Sequence, residues 1–415
     1  QQIGLYTNPV LPKLSFRVRQ GDSLVEEVAD VPLMLRGAYA HVPPQLEHKL
    51  NKLAEMKADY FGGRSLLKRG QIEQEESKLL QGVLNAAIDR LNRQLDALRR
   101  PLEEQAAFEG MGVARPRQLQ LDEERRKEQI RALTQQRDDL IKVRTNLAKG
   151  KTPPFFLWDV GFGEVFAEKG GFDICIGNPP YVRHQDIGPP TEHPGNYAPD
   201  DWRVRKQAYK DKLSRSVQAL WGDSTRVDRK SDLYVYFYHV GLSLLRPGGV
   251  FCFINSNSWL DVGYGARLQE FLLRRMRLLQ VIDNHAQRSF GQRPEDDIPQ
   301  WDYTARFVAY KKPFDEAIAM ANLVAIERAR SVLRADDLRV YPVPQRELLL
   351  DGAQLAKEEI GRGMELGLEY KRYEGAKWGG KYLRAPDIFL EIWPLPGLIP
   401  VTEVARIRLT ITLRQ

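Results

Sequence analysis

Cysteine is nearly absent from this chain, with two residues, Cys175 and Cys252, among 415. Without a CxxC spacing they cannot form a disulfide framework or a thiolate zinc site, and a reducing cytoplasm is the expected setting. Each lies in an apolar run, FDICIG or VFCFI, where a thiol acts as a small hydrophobe in a core. The six histidines form no HExxH or HxH pattern, so no metal centre is expected. No run of about 18 apolar residues is present, which leaves no candidate membrane span. The opening segment, Gln1 to Leu14, does not pass from charged to apolar and does not read as a signal peptide.

What the chain does have is enough length for two or three domains and a 42% hydrophobic content, sufficient for a sizeable core. Its net charge of +7 suits a polyanionic partner without specifying one. Leu14 to Gln20 alternates apolar and polar residues like a strand, then meets the turn Gly21-Asp22-Ser23-Leu24. From about Gln45 to Lys149 the texture becomes rich in Leu, Glu, Gln, Arg and Lys. Ile72 to Gln105 and Gln118 to Ala148 carry apolar residues at helical spacing around Gly110-Met111-Gly112, which predicts an antiparallel helical hairpin.

Beyond Pro153 the pattern is α/β. Phe172 to Gly177 reads as a buried parallel strand, Leu233 to Leu245 as a helix, Pro247 to Gly249 as a turn and Val250 to Ile254 as a second buried strand. A helix over Leu268 to Met276, strands over Leu278 to Ile282 and Thr304 to Tyr310, and a helix over Ala317 to Val332 follow. Gly375 to Pro386 reads as loop and turn, and Val401 to Leu413 as a strand or two. Strands alternating with helices predict a doubly wound sheet.

The four residues Asn178-Pro179-Pro180-Tyr181 directly follow the strand FDICIG. Asn-Pro is turn-prone, yet this setting at a strand's carboxyl end is where reactive groups gather in open α/β sheets. Two successive prolines stiffen the backbone and remove N–H donors, so the Pro179 carbonyl stands as an acceptor without a competing donor beside it. The Asn178 side-chain oxygen is a second acceptor. Together they can take both hydrogens of an exocyclic amine, while Tyr181 offers a flat face on which a base can stack.

On these residues the chain resembles the N6-adenine DNA methyltransferases of restriction–modification and phage-defence systems, and more narrowly the large type IIG-like enzymes with gamma motif order. The resemblance spans Phe16 to Val404 apart from the helical segment. It includes FFLWDVGFGEVF, GFDICIGNPPYV, SDLYVYF followed by LRPGG, and KYLRAPD as a spacer before a target-recognition domain. It implies a class I S-adenosylmethionine-dependent, Rossmann-like core with an inserted α-helical hairpin, acting on double-stranded DNA. Residues 1–44 would be a partial N-terminal piece of that core, 45–150 the insertion, 151–315 the catalytic core and 316–415 the spacer. By the same resemblance Asn178, Pro179, Pro180 and Tyr181 form the catalytic tetrad, with Phe290 as a second aromatic on the flipped base. Asp22 would accept from the cofactor's adenine, and Asp232 and Tyr234 would line its pocket. From local sequence alone, Asp22 fits a plain turn, Phe290 and Tyr234 fit core packing, and Asp232 fits a helix cap.

The basic stretch after the loop, with Arg203, Arg205, Lys206, Lys210, Lys212 and Arg215 near Trp202 and Tyr209, fits either DNA backbone contacts or a solvated helix face. The family's glycine-rich cofactor turn and a recognition domain are not found, so an incomplete catalytic core, joined by other restriction or defence subunits, is expected. A methyltransferase for protein glutamine or RNA, and a non-catalytic DNA-binding or assembly subunit, are the alternative readings.

Overall fold

The computed structural model describes residues 15–38, 42–63, 68–108, 117–284, 293–294, 303–311, 316–353 and 373–386. The chain divides into two units. One comprises Gln1–Asn255, Glu270–Arg277 and Gly291–Gln300, the other Ser256–Gln269, Leu278–Phe290 and Trp301–Gln415. Among the described residues no helix is long and apolar enough to cross a membrane.

In the first unit the helical texture gives α1 (Pro44–Phe61), α2 (Arg69–Phe108) and α3 (Arg117–Ala148). Leu79, Val83, Leu84, Ala87, Ile88 and Leu91 form a buried stripe along α2, three and four residues apart, as an amphipathic helix requires. That stripe shares one core with Leu140 and Leu147 of α3, Leu46 and Leu53 of α1, and Phe155, Leu157 and Val160. Arg144 of α3 donates to Asn85 Oδ1 of α2 at 2.9 Å. A buried lysine fixes α1 to its neighbours: Lys57 Nζ donates to the carbonyls of Val160 and Gly161 at 2.8 and 2.9 Å and pairs with Glu76 at 2.7 Å.

The predicted strand over Leu14 to Gln20 is instead a turn in its described part, residues 15–20. Phe16 takes a left-handed φ of 66°, bending the chain so that its ring is buried against Tyr60, with ring centroids 5.8 Å apart. Strands β1 (Glu27–Val28) and β2 (Val31–Pro32) then form a hairpin. Its two-residue turn, Ala29-Asp30, has positive φ at both positions, which matches the twist of the flanking strands.

The helices α4 (Trp158–Gly161) and α5 (Gly163–Lys169) lead to β3 (Phe172–Gly177), and α6 (Pro199–Trp221) and α7 (Leu233–Ser243) lead to β4 (Leu245–Phe253). β3 and β4 pair in parallel, with Ile174 opposite Val250 and Gly177 opposite Phe253. The expected Pro247–Gly249 turn is an irregularity within β4: the register jumps from Phe172–Leu245 to Ile174–Val250, and Gly248 has φ 72°. β3 is also less buried than its apolar sequence predicts, with Ile174 and Ile176 63% and 70% exposed. They share one face by the two-residue period of a strand. A short antiparallel pair, β5 (Met276–Arg277) with β7 (Arg293–Pro294), follows α8 (Gly265–Arg275).

The second unit is built on a four-stranded sheet of β6 (Gln280–Asn284), β8 (Thr304–Tyr310), β10 (Leu338–Pro344) and β9 (Leu333–Arg334), in that order. β6 and β8 are parallel and the other pairs antiparallel. Helix α9 (Glu316–Arg328) places Ile326 against Val308 and Val340, and α10 (Gln345–Gly352) follows β10. The sequence reading missed β10 and α10, because two prolines interrupt the strand. The described strands therefore lie in separate sheets rather than in one doubly wound sheet. The expected loop over Gly375 to Pro386 contains a short π-helical turn, Gly379–Leu383, held by buried Arg339, which donates to the carbonyls of Leu383 and Ala385 at 2.6 and 2.7 Å. Val401 to Leu413 lies outside the described residues.

Candidate active site

The parallel pairing of β3 and β4 brings two strand ends to one edge. The ladder continues one step past both strands, through Ile254 N donating to Gly177 O at 3.0 Å. Asn178-Pro179-Pro180-Tyr181 emerges at that point. Pro179 is buried, whereas Asn178, Pro180 and Tyr181 are exposed. Tyr181 is 40% exposed. Its hydroxyl donates to Asn178 Oδ1 at 2.7 Å and lies 3.3 Å from the Ile254 carbonyl. The strand end thus fixes Tyr181 at its ring tip, and the two prolines fix the backbone between it and Asn178.

The segment after the loop is tied to the start of α7. Leu233 N donates to Val182 O at 3.0 Å, and His184 N to Asp232 Oδ1 at 2.9 Å. Asp232 stands at the N-cap of α7 but makes no capping bond with its side chain, which accepts from His184 N instead. Tyr234 is fully enclosed. Asp22 forms its expected turn, accepting from Leu24 N at 2.9 Å, and its other oxygen accepts from the buried Tyr209 hydroxyl at 2.8 Å. Burial, reinforced by the Asp22 charge, pushes the Tyr209 phenol far above its ordinary range, so it acts as a fixed donor. Phe290 lies outside the described residues.

Sequence reasoning overlooked Asn255. It is the residue after Ile254, at the second of the two strand ends, against the Tyr238 phenol, and its Nδ2 is buried without a hydrogen-bond partner. The rule that singled out Asn178, a polar group just past an apolar strand, applies equally to VFCFIN. Cys175 and Cys252 sit half-buried on β3 and β4, and burial pushes both thiols up to about 11, which keeps them protonated and unreactive near neutrality. His239, behind the site on α7, is held down to about 4 by burial, its Nδ1 against the Val235 carbonyl at 2.9 Å.

The basic stretch divides into two groups on α6. Lys212 and Arg215 pair with Glu27, and Arg205 pairs with Glu192 at 2.9 Å while covering the Tyr197 ring at 4.2 Å. Arg203, Lys206 and Lys210 instead share another face of the helix and line one cavity.

The family described as the Eco57I restriction-modification methylase matches residues 66–290, more than half of the chain. Two curated relatives are the Type II methyltransferase M.XamI of Xanthomonas campestris pv. amaranthicola and the Type II methyltransferase M.BstVI of Geobacillus stearothermophilus. The first is 33% identical over 103 residues, which is 25% of this chain and 16% of the relative. The second is 26% identical over 167 residues, 40% of this chain and 24% of the relative. The chain therefore spans about a quarter or less of the length of these relatives. Among solved structures, the type IIG restriction endonuclease BpuSI is similar at 12% identity and a TM-score of 0.31, over 42% of this chain and 19% of that one. On the match over residues 66–290, the chain belongs to the Eco57I restriction-modification methylase family.

Proposed function

We propose that this chain forms the catalytic part of a DNA methyltransferase that methylates N6 of adenine in double-stranded DNA, within a restriction–modification or phage-defence system. The observation that carries this reading is the Asn178–Tyr181 loop at the carboxyl end of β3, with a rigid buried Pro179 beside a partly exposed Tyr181 anchored through its hydroxyl. A flipped adenine stacks on Tyr181, which offsets part of the few kcal/mol that extrusion costs. Asn178 Oδ1 and the Pro179 carbonyl then accept the two amine hydrogens. Held at tetrahedral angles, those bonds draw the nitrogen lone pair out of conjugation and aim it away from the loop. Pro180 has no N–H to compete for the carbonyl. Once the nitrogen carries the new methyl group its proton is acidic and leaves readily, so no strong base is required; the contribution of the protein is positional and electrostatic.

S-adenosylmethionine, when bound, supplies the electrophilic methyl group on a sulfonium. Asp22 fits an adenine-amine contact: it is half-buried, and each oxygen keeps acceptor capacity beyond the bonds to Leu24 and Tyr209. Asp232 would border the same pocket while holding His184, and Tyr234, enclosed in the core, would shape its wall. Phe290 is proposed as the second stacking ring. Residues 45–150 are proposed as an insertion in the methyltransferase core and 316–415 as the spacer toward a recognition domain.

The test is methyl transfer from labelled S-adenosylmethionine to duplex DNA by the intact gene product, followed by nucleoside analysis. Label in N6-methyladenine that disappears in Asn178→Ala supports the reading. No labelled DNA nucleoside across varied duplexes overturns it in favour of a protein, RNA or scaffolding role.

A further inference from the structure

Arg203, Lys206 and Lys210 are three and four residues apart on α6 and therefore lie on one face. With Gln185, Val204 and Gln207 they line a cavity of ≈ 480 Å³ that has no carboxylate in its wall. The charges are only loosely answered. Lys206 Nζ donates to the Gln185 carbonyl at 2.9 Å, Arg203 meets the solvent-exposed Asp200 at 3.3 Å, and Lys210 forms no ion pair among the described residues. Burial and the neighbouring Lys206 both weaken the hold of Lys210 on its proton, although Asp186 opposes them. Such a cluster is relieved by an anion. The cavity also exposes Val204, 65% accessible, an apolar contact that a bare inorganic ion would not use but a sugar face would.

Position adds the rest. Gln185, which borders the cavity, is four residues beyond Tyr181, so at ~3.5 Å per extended residue their Cα atoms are at most about 14 Å apart. A DNA strand rises ~3.4 Å per nucleotide, which makes that distance about four base steps. The intervening segment is tied down at Val182 and His184.

We propose that the Arg203–Lys206–Lys210 cavity is a strand handle: a subsite for one backbone phosphodiester of DNA, within about four base steps of the flipped base. The inference rests on the DNA methyltransferase reading above. A gripped phosphate fixes the register of the strand and resists its recoil while the base is drawn out. Arg205 is excluded, since Glu192 and the Tyr197 ring already hold it.

The test is equilibrium binding of the intact gene product to duplex DNA across a salt series, for wild type, the triple variant Arg203→Gln/Lys206→Gln/Lys210→Gln, and Arg205→Gln. These side chains lie on the surface of the helix, and variants are checked by thermal unfolding. The triple variant is expected to bind at least tenfold more weakly at low salt, with a slope of log K against log[salt] shallower by about 0.9, the value for one phosphate. Arg205→Gln is expected to keep the wild-type slope. A scan of single uncharged methylphosphonates through a duplex that the protein methylates should find one sensitive position, within about four steps of the target, which the triple variant ignores. An unchanged slope in the triple variant, or uniform sensitivity along the strand, overturns the subsite. Because binding needs no methyl transfer, a lost slope without any N6-methyladenine would sink the reaction reading and keep the phosphate contact.

Discussion

The Tyr181 hydroxyl donates to Asn178 Oδ1 at 2.7 Å, so the side-chain oxygen proposed to receive an adenine amine is already engaged by the residue proposed to stack on that adenine. The loop satisfies itself, and an incoming base must share or displace that bond. Tyr181→Phe frees the Asn178 oxygen and keeps the ring. Target binding is expected to stay within a few-fold of wild type or tighten, while Tyr181→Ala should lose about 1–3 kcal/mol of stacking, roughly 5- to 150-fold. Methylation kinetics with DNA concentration varied would measure both. Equal losses in the two variants would refute the stacking role.

Asp232 reaches back to His184 N at 2.9 Å. Removing it in Asp232→Ala leaves that amide without its charged acceptor, a loss of about 1.5–3 kcal/mol. Hydrogen exchange at His184 should accelerate more than exchange in α2. An unchanged rate would show that the contact does not order the segment.

Lys57 joins α1 to the carbonyls of Val160 and Gly161 and to Glu76 with no solvent exposure. Burial lowers its pKa and Glu76 opposes that shift. Lys57→Met leaves Glu76 and the Gly161 carbonyl to Arg19 alone, takes the donor from the Val160 carbonyl, and should cost about 1–3 kcal/mol in denaturant unfolding. Combined with Glu76→Gln it should cost less than the sum of the two single changes, and a purely additive double variant would contradict the coupling.

His239 is buried against Phe271, with its pKa lowered from 6.5 to about 4 by burial. The folded chain holds it neutral while the unfolded chain protonates it near 6.5. Its contribution therefore falls as pH drops below about 6.5 and levels off near 4, by up to about 3 kcal/mol at ~1.4 kcal/mol per pH unit. His239→Leu should flatten the stability profile in that window. A slope as steep as wild type would assign the acid sensitivity to other groups.

Local sequence decided a good deal. The helices α2 and α3 were legible because Leu79, Val83, Ala87 and Leu91 repeat at a period no strand can use. The loop from Asn178 to Tyr181 was legible because proline restricts the backbone wherever it occurs. The turn at Asp22 was likewise set by neighbours, through the Leu24 amide. Tertiary structure alone decided what distant residues share. Asp22 meets Tyr209 and Asp232 meets His184 because helix packing closes gaps that no local pattern records. The exposure of Ile174 and Ile176 depends on which layer covers a strand face, which the strand's own residues do not specify. The division of the basic stretch, with Arg205 held by Glu192 and Arg203, Lys206 and Lys210 left to one cavity, follows from charge having no direction in a sequence. Only the fold supplies, or withholds, the partner that each cation will find.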